Sequence, residues 1–179
     1  MAGTVMWRLL SSTTWAVTAL LAASPERAMA APEKVQEEQR IATCIRHASM
    51  GHAWLEKTLW GLRDQEAGWI GAEVRNSNGS HDLGPLQINS WWVPRIAAQV
   101  GHSELQVRHW LRFDPCFNAE AARWIFLSGL RAAKDYWAAI GLYHSPTTWR
   151  QRRYSGSVAR RMKIRFGESV FHEPMRTHN

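Results

Sequence analysis

Apolar residues recur at three- and four-residue steps along most of the chain, and that period predicts a mainly helical fold. Ile41, Cys44, Ile45 and Ala48 mark one helix, and Leu55, Leu59 and Leu62 mark a second, with Gly51 between them. The period stops over residues 69–85, where Gly, Asn and Ser gather around Asn78-Gly79, a tight-turn pair that predicts a short β-hairpin or loop. Strand is expected nowhere else. Helical signals resume over residues 90–100, with Pro94 in the first turn, and again at Ser103-Glu104. Pro115 opens the longest predicted helix, along which Ala119, Ala122, Ile125, Phe126, Gly129, Leu130 and Ala133 draw an apolar face with small residues for close packing. Two more helices are predicted over 134–143 and 152–164. Residues 31–38 are charged and lack an apolar pattern, so they read as a linker. The tail from Gly167 to Asn179 lacks one too and reads as flexible. There is no internal repeat, heptad run or low-complexity segment.

The beginning of the chain follows a different rule. Arg8 precedes an apolar run from Leu9 to Ala23, and Ala28-Met29-Ala30 is a small-x-small cleavage pattern, so residues 1–30 are expected to be a signal peptide. The run is too short to cross a bilayer as a stable helix. Pro25, Glu26 and Arg27 speak against the alternative, an N-terminal core helix. Cleavage at residue 30 of 179 leaves a chain of single-domain length, with residues 39–166 as the domain and no integral membrane span. Cys44 and Cys116 both lie in that part, and an oxidising compartment lets them form a disulfide. Two buried free thiols are the other reading. The full chain has 22 Lys and Arg against 15 Asp and Glu, and losing Arg8, Arg27 and Glu26 leaves it basic. Such a surface favours polyanions. For an exported protein these are more often wall polymer or lipid head groups than nucleic acid.

One carboxylate stands out. Continuing the stripe Leu55, Leu59, Leu62 by four residues lands on Glu66, which puts it on an apolar helix face. Burial disfavours its ionised form, and the helix C-terminus signalled by Gly68 adds negative potential, so both raise its pKa. A carboxylic acid protonated near neutral pH suits the protonation of a poor leaving group such as a glycosidic oxygen. From spacing alone, a boundary glutamate paired with Arg63 or Arg75 is an equal alternative.

The wider stretch narrows the choice. Glu66-Ala67-Gly68, Asn76 and the run Asn78-Gly79-Ser80-His81-Asp82-Leu83-Gly84-Pro85-Leu86-Gln87-Ile88-Asn89 resemble the lysozyme-like lytic transglycosylases, most closely the small specialised ones of conjugation and type IV secretion systems. Cys44-Ile45, the segment Asp114-Pro115-Cys116-Phe117-Asn118, and Ala139-Ile140-Gly141-Leu142-Tyr143-His144-Ser145 followed by Tyr154 fall in the same order, so the resemblance covers nearly all of the chain after residue 30. It implies a mainly α, lysozyme-like (goose-type) domain with a small loop or hairpin after the catalytic helix. It also implies a periplasmic enzyme and a glycan strand of peptidoglycan as partner. Glu66 would protonate the oxygen between N-acetylmuramic acid and N-acetylglucosamine, then take the proton from the muramyl C6 hydroxyl as that group closes a 1,6-anhydro ring. One residue serves as acid and base in turn.

Around Glu66 the resemblance implies substrate-binding roles for Gln87 and Asn89, whose bare reading is helix-start polarity, and for Ser80 and Tyr143. The Tyr143 phenol is expected to hold Glu66 or a sugar, or else to be a core residue with its hydroxyl satisfied. The commonest pattern has asparagine where this chain has His144. Asp82 is expected to cap its turn through backbone N–H bonds. Animal-type lysozymes also resemble this stretch, however, and a retaining hydrolase would use Asp82 as a second carboxylate. Of the 11 Trp, the pair Trp91-Trp92 directly follows the motif, and Trp91 is the candidate wall of a sugar subsite. The histidines do not cluster with acids or cysteines, so neither metal nor cofactor is expected. Residues 149–165 carry basic side chains and no acid, a solvated helix face or an attachment to the wall or to a secretion partner. The expected activity is that of a lytic transglycosylase. A hydrolytic muramidase using Glu66 and Asp82, and a non-catalytic wall-binding assembly factor, are the alternatives.

Overall fold

The computed structural model describes residues 25–171 as seven helices and a small sheet, with side chains placed from residue 32 onward. The signal-peptide expectation falls mostly on residues 1–24, outside the described residues. The helices are α1 (Pro25–Ala48), α2 (Ala53–Glu66), α3 (Val93–Val100), α4 (Glu104–Phe113), α5 (Pro115–Ala133), α6 (Tyr136–His144) and α7 (Thr148–Phe166). The strands β1 (Glu73–Arg75), β2 (His81–Leu83) and β3 (Ile88–Asn89) form one antiparallel sheet in sequence order, between α2 and α3. The expected hairpin is therefore a three-stranded meander. Among the described residues no helix is long and apolar enough to cross a membrane.

The core is built from the predicted stripes. Ile41, Ile45 and Ala48 of α1, Leu55, Leu59 and Leu62 of α2, and Ala119, Ala122, Ile125 and Phe126 of α5 are all buried. Each of the Ile, Leu and Phe side chains contributes roughly 1.5–3 kcal/mol by leaving water. The stripe on α5 is buried only in its first half. Gly61 makes room between α2 and α7, where a Cβ would sit 2.5 Å from Met162 Cγ. The buried face of α7 is Tyr154, Val158 and Met162, at four-residue steps.

Helix starts follow local chemistry. Ser103 accepts from the Gln106 amide at 3.3 Å, Asp135 from the Ala138 amide at 2.6 Å, and Asp114 from the amides of Cys116 and Phe117 at 2.9 and 3.1 Å. Before α3, residues 90–92 form a 3₁₀ turn, so the segment expected as one helix begins with a tighter turn.

Two expectations about the ends are corrected. Residues 31–38 are not a linker but part of α1. Glu38 pairs with the buried Arg63 at 2.5 Å, and Glu37 accepts the Ile70 amide at 2.8 Å, so the acids that looked solvated tie α1 to the end of α2. Beyond α7, residues 168–171 form a 3₁₀ turn rather than flexible tail, and Phe171 meets Trp137 edge-on at 5.3 Å. Only 172–179 of the expected tail lie outside the described residues.

Cys44 of α1 and Cys116 in the first turn of α5 are joined in a disulfide across 72 residues of sequence. Closing a loop of that length removes disorder from the unfolded chain worth about 4 kcal/mol. Urea denaturation of the oxidised protein and of the Cys44→Ser/Cys116→Ser variant should therefore differ by about that amount. Equal stability would show that the helices hold the same geometry without the bond.

Candidate active site

Glu66 is the last residue of α2, and the helix ends there because Ala67 turns left-handed, at φ 50°, with its amide still bonded to the Arg63 carbonyl at 2.8 Å. The left-handed residue is thus Ala67 and not the expected Gly68. Gly68 is required for space instead. A Cβ there would come within 2.3 Å of the Gly84 carbonyl oxygen and 2.7 Å of Gln87 Nε2. The helix end and the loop after β2 can meet only because position 68 has no side chain.

Neither Arg63 nor Arg75 pairs with Glu66. Its carboxylate accepts a short hydrogen bond from the hydroxyl of Tyr154 on α7, which is 6% exposed. Burial pushes the Glu66 carboxyl up to about 7; the Tyr154 hydrogen bond opposes the rise, and the negative charge of Asp82 adds to it. Near neutral pH both forms of Glu66 are therefore populated. Tyr143 and Tyr154 are held far above the ordinary phenol range, first by burial and then by the charge of Glu66, so both stay neutral.

The loop beside Glu66 is pinned by one side chain. Asn118 of α5, fully buried, accepts the Leu86 amide at 2.9 Å and donates to the carbonyls of Leu83 at 2.9 Å and Leu111 at 2.8 Å. Gly84, at φ 69°, passes so close that a Cβ would lie 2.0 Å from the Leu111 carbonyl oxygen. Gln87 follows, itself at φ 50°, a conformation that costs a non-glycine residue about 1 kcal/mol or more and recurs where a side chain must be aimed. Its amide Nε2 donates to the Gly84 carbonyl at 2.8 Å. The structure thus brings the Gln87 amide against Gly68, just past the end of α2.

Several other expected site residues have structural tasks. Ser80 is 4% exposed, and its hydroxyl donates to Asn78 Oδ1 at 2.8 Å while accepting from Asn76 at 3.1 Å and Asn89 at 3.0 Å. A buried hydroxyl so occupied does not face a substrate. Asn89 also donates to Asp82 Oδ1 at 2.8 Å and caps the following turn by accepting the Trp91 amide at 3.1 Å, so its amide is committed to the fold. Asp82 is a strand residue, opposite Val74 and Asn89. It accepts from the Asn89 side chain in place of the backbone N–H groups expected of a turn cap.

The Tyr143 hydroxyl donates to the Leu86 carbonyl at 2.9 Å. It steadies the loop rather than Glu66. Tyr154, placed in the sequence only as part of a family order, takes the role expected of Tyr143. One signal could have found it: Tyr154, Val158 and Met162 form a buried period within an otherwise basic helix. His144, exposed at the end of α6, stacks flat on the Tyr154 ring, with centroids 4.6 Å apart and planes 2° from parallel. Burial, then Arg150, lower its pKa and Asp82 raises it, with a net fall below the ordinary imidazole value. Trp91 is 67% exposed and free for a ring face to pack on, whereas Trp92 meets Trp124 edge-on at 5.6 Å. Among the described residues no three His, Cys, Asp or Glu side chains gather as a metal site.

No protein-family model matches the chain, and no solved structure does. Among curated proteins it is similar to the invasion protein IagB of Salmonella typhimurium and to that of Salmonella typhi. Each is 32% identical over 91 residues, which are 50% of this chain and 54% of the relative. The chain spans about half the length of the curated relatives it matches.

Two predictions follow from the state of Glu66. Its folded pKa lies above the ordinary carboxyl value of 4.5, so the native state binds the extra proton between pH 4.5 and about 7 and is penalised once Glu66 ionises. Glu66→Gln should match the wild type in stability at pH 4 and exceed it at pH 8, by about 3 kcal/mol at most, as read by urea denaturation at both values. No gain at pH 8 would mean that the carboxylate is well solvated. Tyr154→Phe removes the hydroxyl that favours the carboxylate, so ¹³C NMR should show the Glu66 titration midpoint moving up. A lower midpoint would show that water replaces the phenol.

Proposed function

We propose that the protein is a peptidoglycan lytic transglycosylase of the periplasm, with Glu66 as its catalytic residue and a lysozyme-like fold. The observation that carries this proposal is the Glu66 carboxyl itself, pushed by burial to about 7 and held by a neutral phenol rather than a cation. An arginine partner would lock it as a carboxylate and remove its acid function. With a phenol it can do both halves of the reaction. As an acid it gives its proton to the oxygen linking muramic acid to glucosamine, the anomeric C–O bond breaks, and the glucosamine leaves with a free 4-hydroxyl. As a carboxylate it then removes the proton of the muramyl C6 hydroxyl while that oxygen bonds to the anomeric carbon. The proton returns to Glu66, no water is consumed, and the muramyl end is a 1,6-anhydro sugar. Gln87 beside the acid and the exposed face of Trp91 are the groups offered to the glycan. Opening the wall for a conjugation or type IV secretion apparatus is the role the sequence resemblance implies.

A second reading has one observation in its favour. The charge of Asp82 is felt at Glu66, so a hydrolytic muramidase using both carboxylates is the alternative. Asp82 is bonded to the Asn89 amide, which stabilises a spectator carboxylate as well as it would a nucleophile.

Digestion of purified murein sacculi separates the two. Mass spectrometry should find muramyl ends one water lighter than hydrolysed ends, and Glu66→Gln should lower their yield by at least about a hundredfold, the ordinary weight of an acid–base group. Asp82→Asn should leave their identity unchanged. Hydrated ends that vanish in Asp82→Asn would establish the muramidase. No product from folded wild-type protein would leave a wall-binding assembly factor.

A further inference from the structure

His144 stands at a junction. It ends α6, faces solvent, and lays its ring flat against Tyr154, the buried phenol whose hydroxyl is bonded to Glu66. Rings parallel within 2° and 4.6 Å apart leave no room for water between them. Behind that stacked pair lies a carboxyl group whose properties depend first on being kept from water. The exposed imidazole therefore covers one face of a phenol whose hydrogen bond to Glu66 is partly buried.

We propose that His144 is a positioning residue, whose ring closes the outer face of Tyr154 and keeps water from the Tyr154–Glu66 pair. An aliphatic or small polar side chain at the end of α6 has no flat face to oppose the phenol. Without one, solvent reaches the ring edge and hydrates the carboxylate. The groups that act on the imidazole come from two elements besides its own, Asp82 on β2 and Tyr154 and Arg150 on α7. The two charged ones oppose each other, while partial burial favours the uncharged ring. A neutral ring suits the position, because it covers the phenol without placing a cation that would pull Glu66 toward its carboxylate.

The functional meaning rests on Glu66 as the acid–base residue, but the test does not need turnover. The Glu66 carboxyl is followed by ¹³C NMR against pH in the wild type, His144→Ala and His144→Phe, with thermal melts showing that all three fold. His144→Ala should lower the Glu66 midpoint by about one pH unit, because hydration returns toward the carboxylate. His144→Phe keeps a flat face and should leave the midpoint near the wild-type value. An unchanged midpoint in His144→Ala would make the ring a bystander, and a raised one would mean that the phenol and not the exclusion of water had been lost; either would overturn the proposal. Equal falls in both variants would overturn it too, by assigning the effect to the imidazole nitrogens. Sacculus digestion is measured separately, so an absence of product with the wild type counts against the proposed activity and leaves the titration result standing.

Discussion

The amide of Asn118 joins the two halves of this structure. Its three hydrogen bonds reach the Leu83 carbonyl at the end of β2, the Leu86 amide in the following loop and the Leu111 carbonyl in α4. None of these backbone groups is open to solvent, and each costs roughly 1–3 kcal/mol if left without a partner. Strands of three, three and two residues bury little by themselves, so this sheet depends on packing against the helices. Here it is attached to the helical body by one side chain with both polar atoms used, and by Glu73, which binds Arg108 and Arg112 of α4. Gly84 makes the approach possible, and Tyr143 completes it from α6 through the Leu86 carbonyl. The position of Gln87 follows from these contacts.

That anchoring has an electrostatic result. The β2–β3 loop lies against Gly68, just past the end of α2, and Tyr154 reaches Glu66 from α7. Desolvation raises the pKa and the phenol moderates the rise, so the group rests near neutrality and can give and take a proton at similar cost. A buried arginine is close in sequence, but Arg63 is occupied by Glu38 of α1. The charged segment at the start of the domain thus keeps a cation committed away from the acid. Its acidic residues had looked like those of a solvated linker.

Two glycines near the site show how little freedom it has. Gly68 and Gly84 are both required because backbone and side chains pass within distances that a Cβ would violate. The positive φ of Ala67 and Gln87 is strain held by the surrounding contacts, one residue next to Glu66 in sequence and the other in the loop packed against Gly68. Backbone so constrained suits a group whose pKa depends on exclusion of water over a few ångströms.

Periodicity and turn chemistry along the chain were enough to specify the helical class, the order of the helices, the place of the sheet, the pairing partners of the disulfide and the position of Glu66 at the end of a buried stripe. All of these depend on local periodicity, on turn and cap chemistry, or on having only two cysteines. Tertiary structure alone decided which phenol meets the acid, because Tyr154 lies 88 residues away and Tyr143 matched the motif better. It also turned Ser80 and Asn89 inward, since whether a polar side chain in a turn faces a ligand or its own loop depends on which strand packs behind it. It made residues 31–38 helix rather than linker, because their partners, Arg63 and the Ile70 amide, belong to the end of α2 and the turn that follows it. Period and propensity register the neighbours a residue has along the chain. The proton affinity of Glu66 is set by neighbours that only folding supplies.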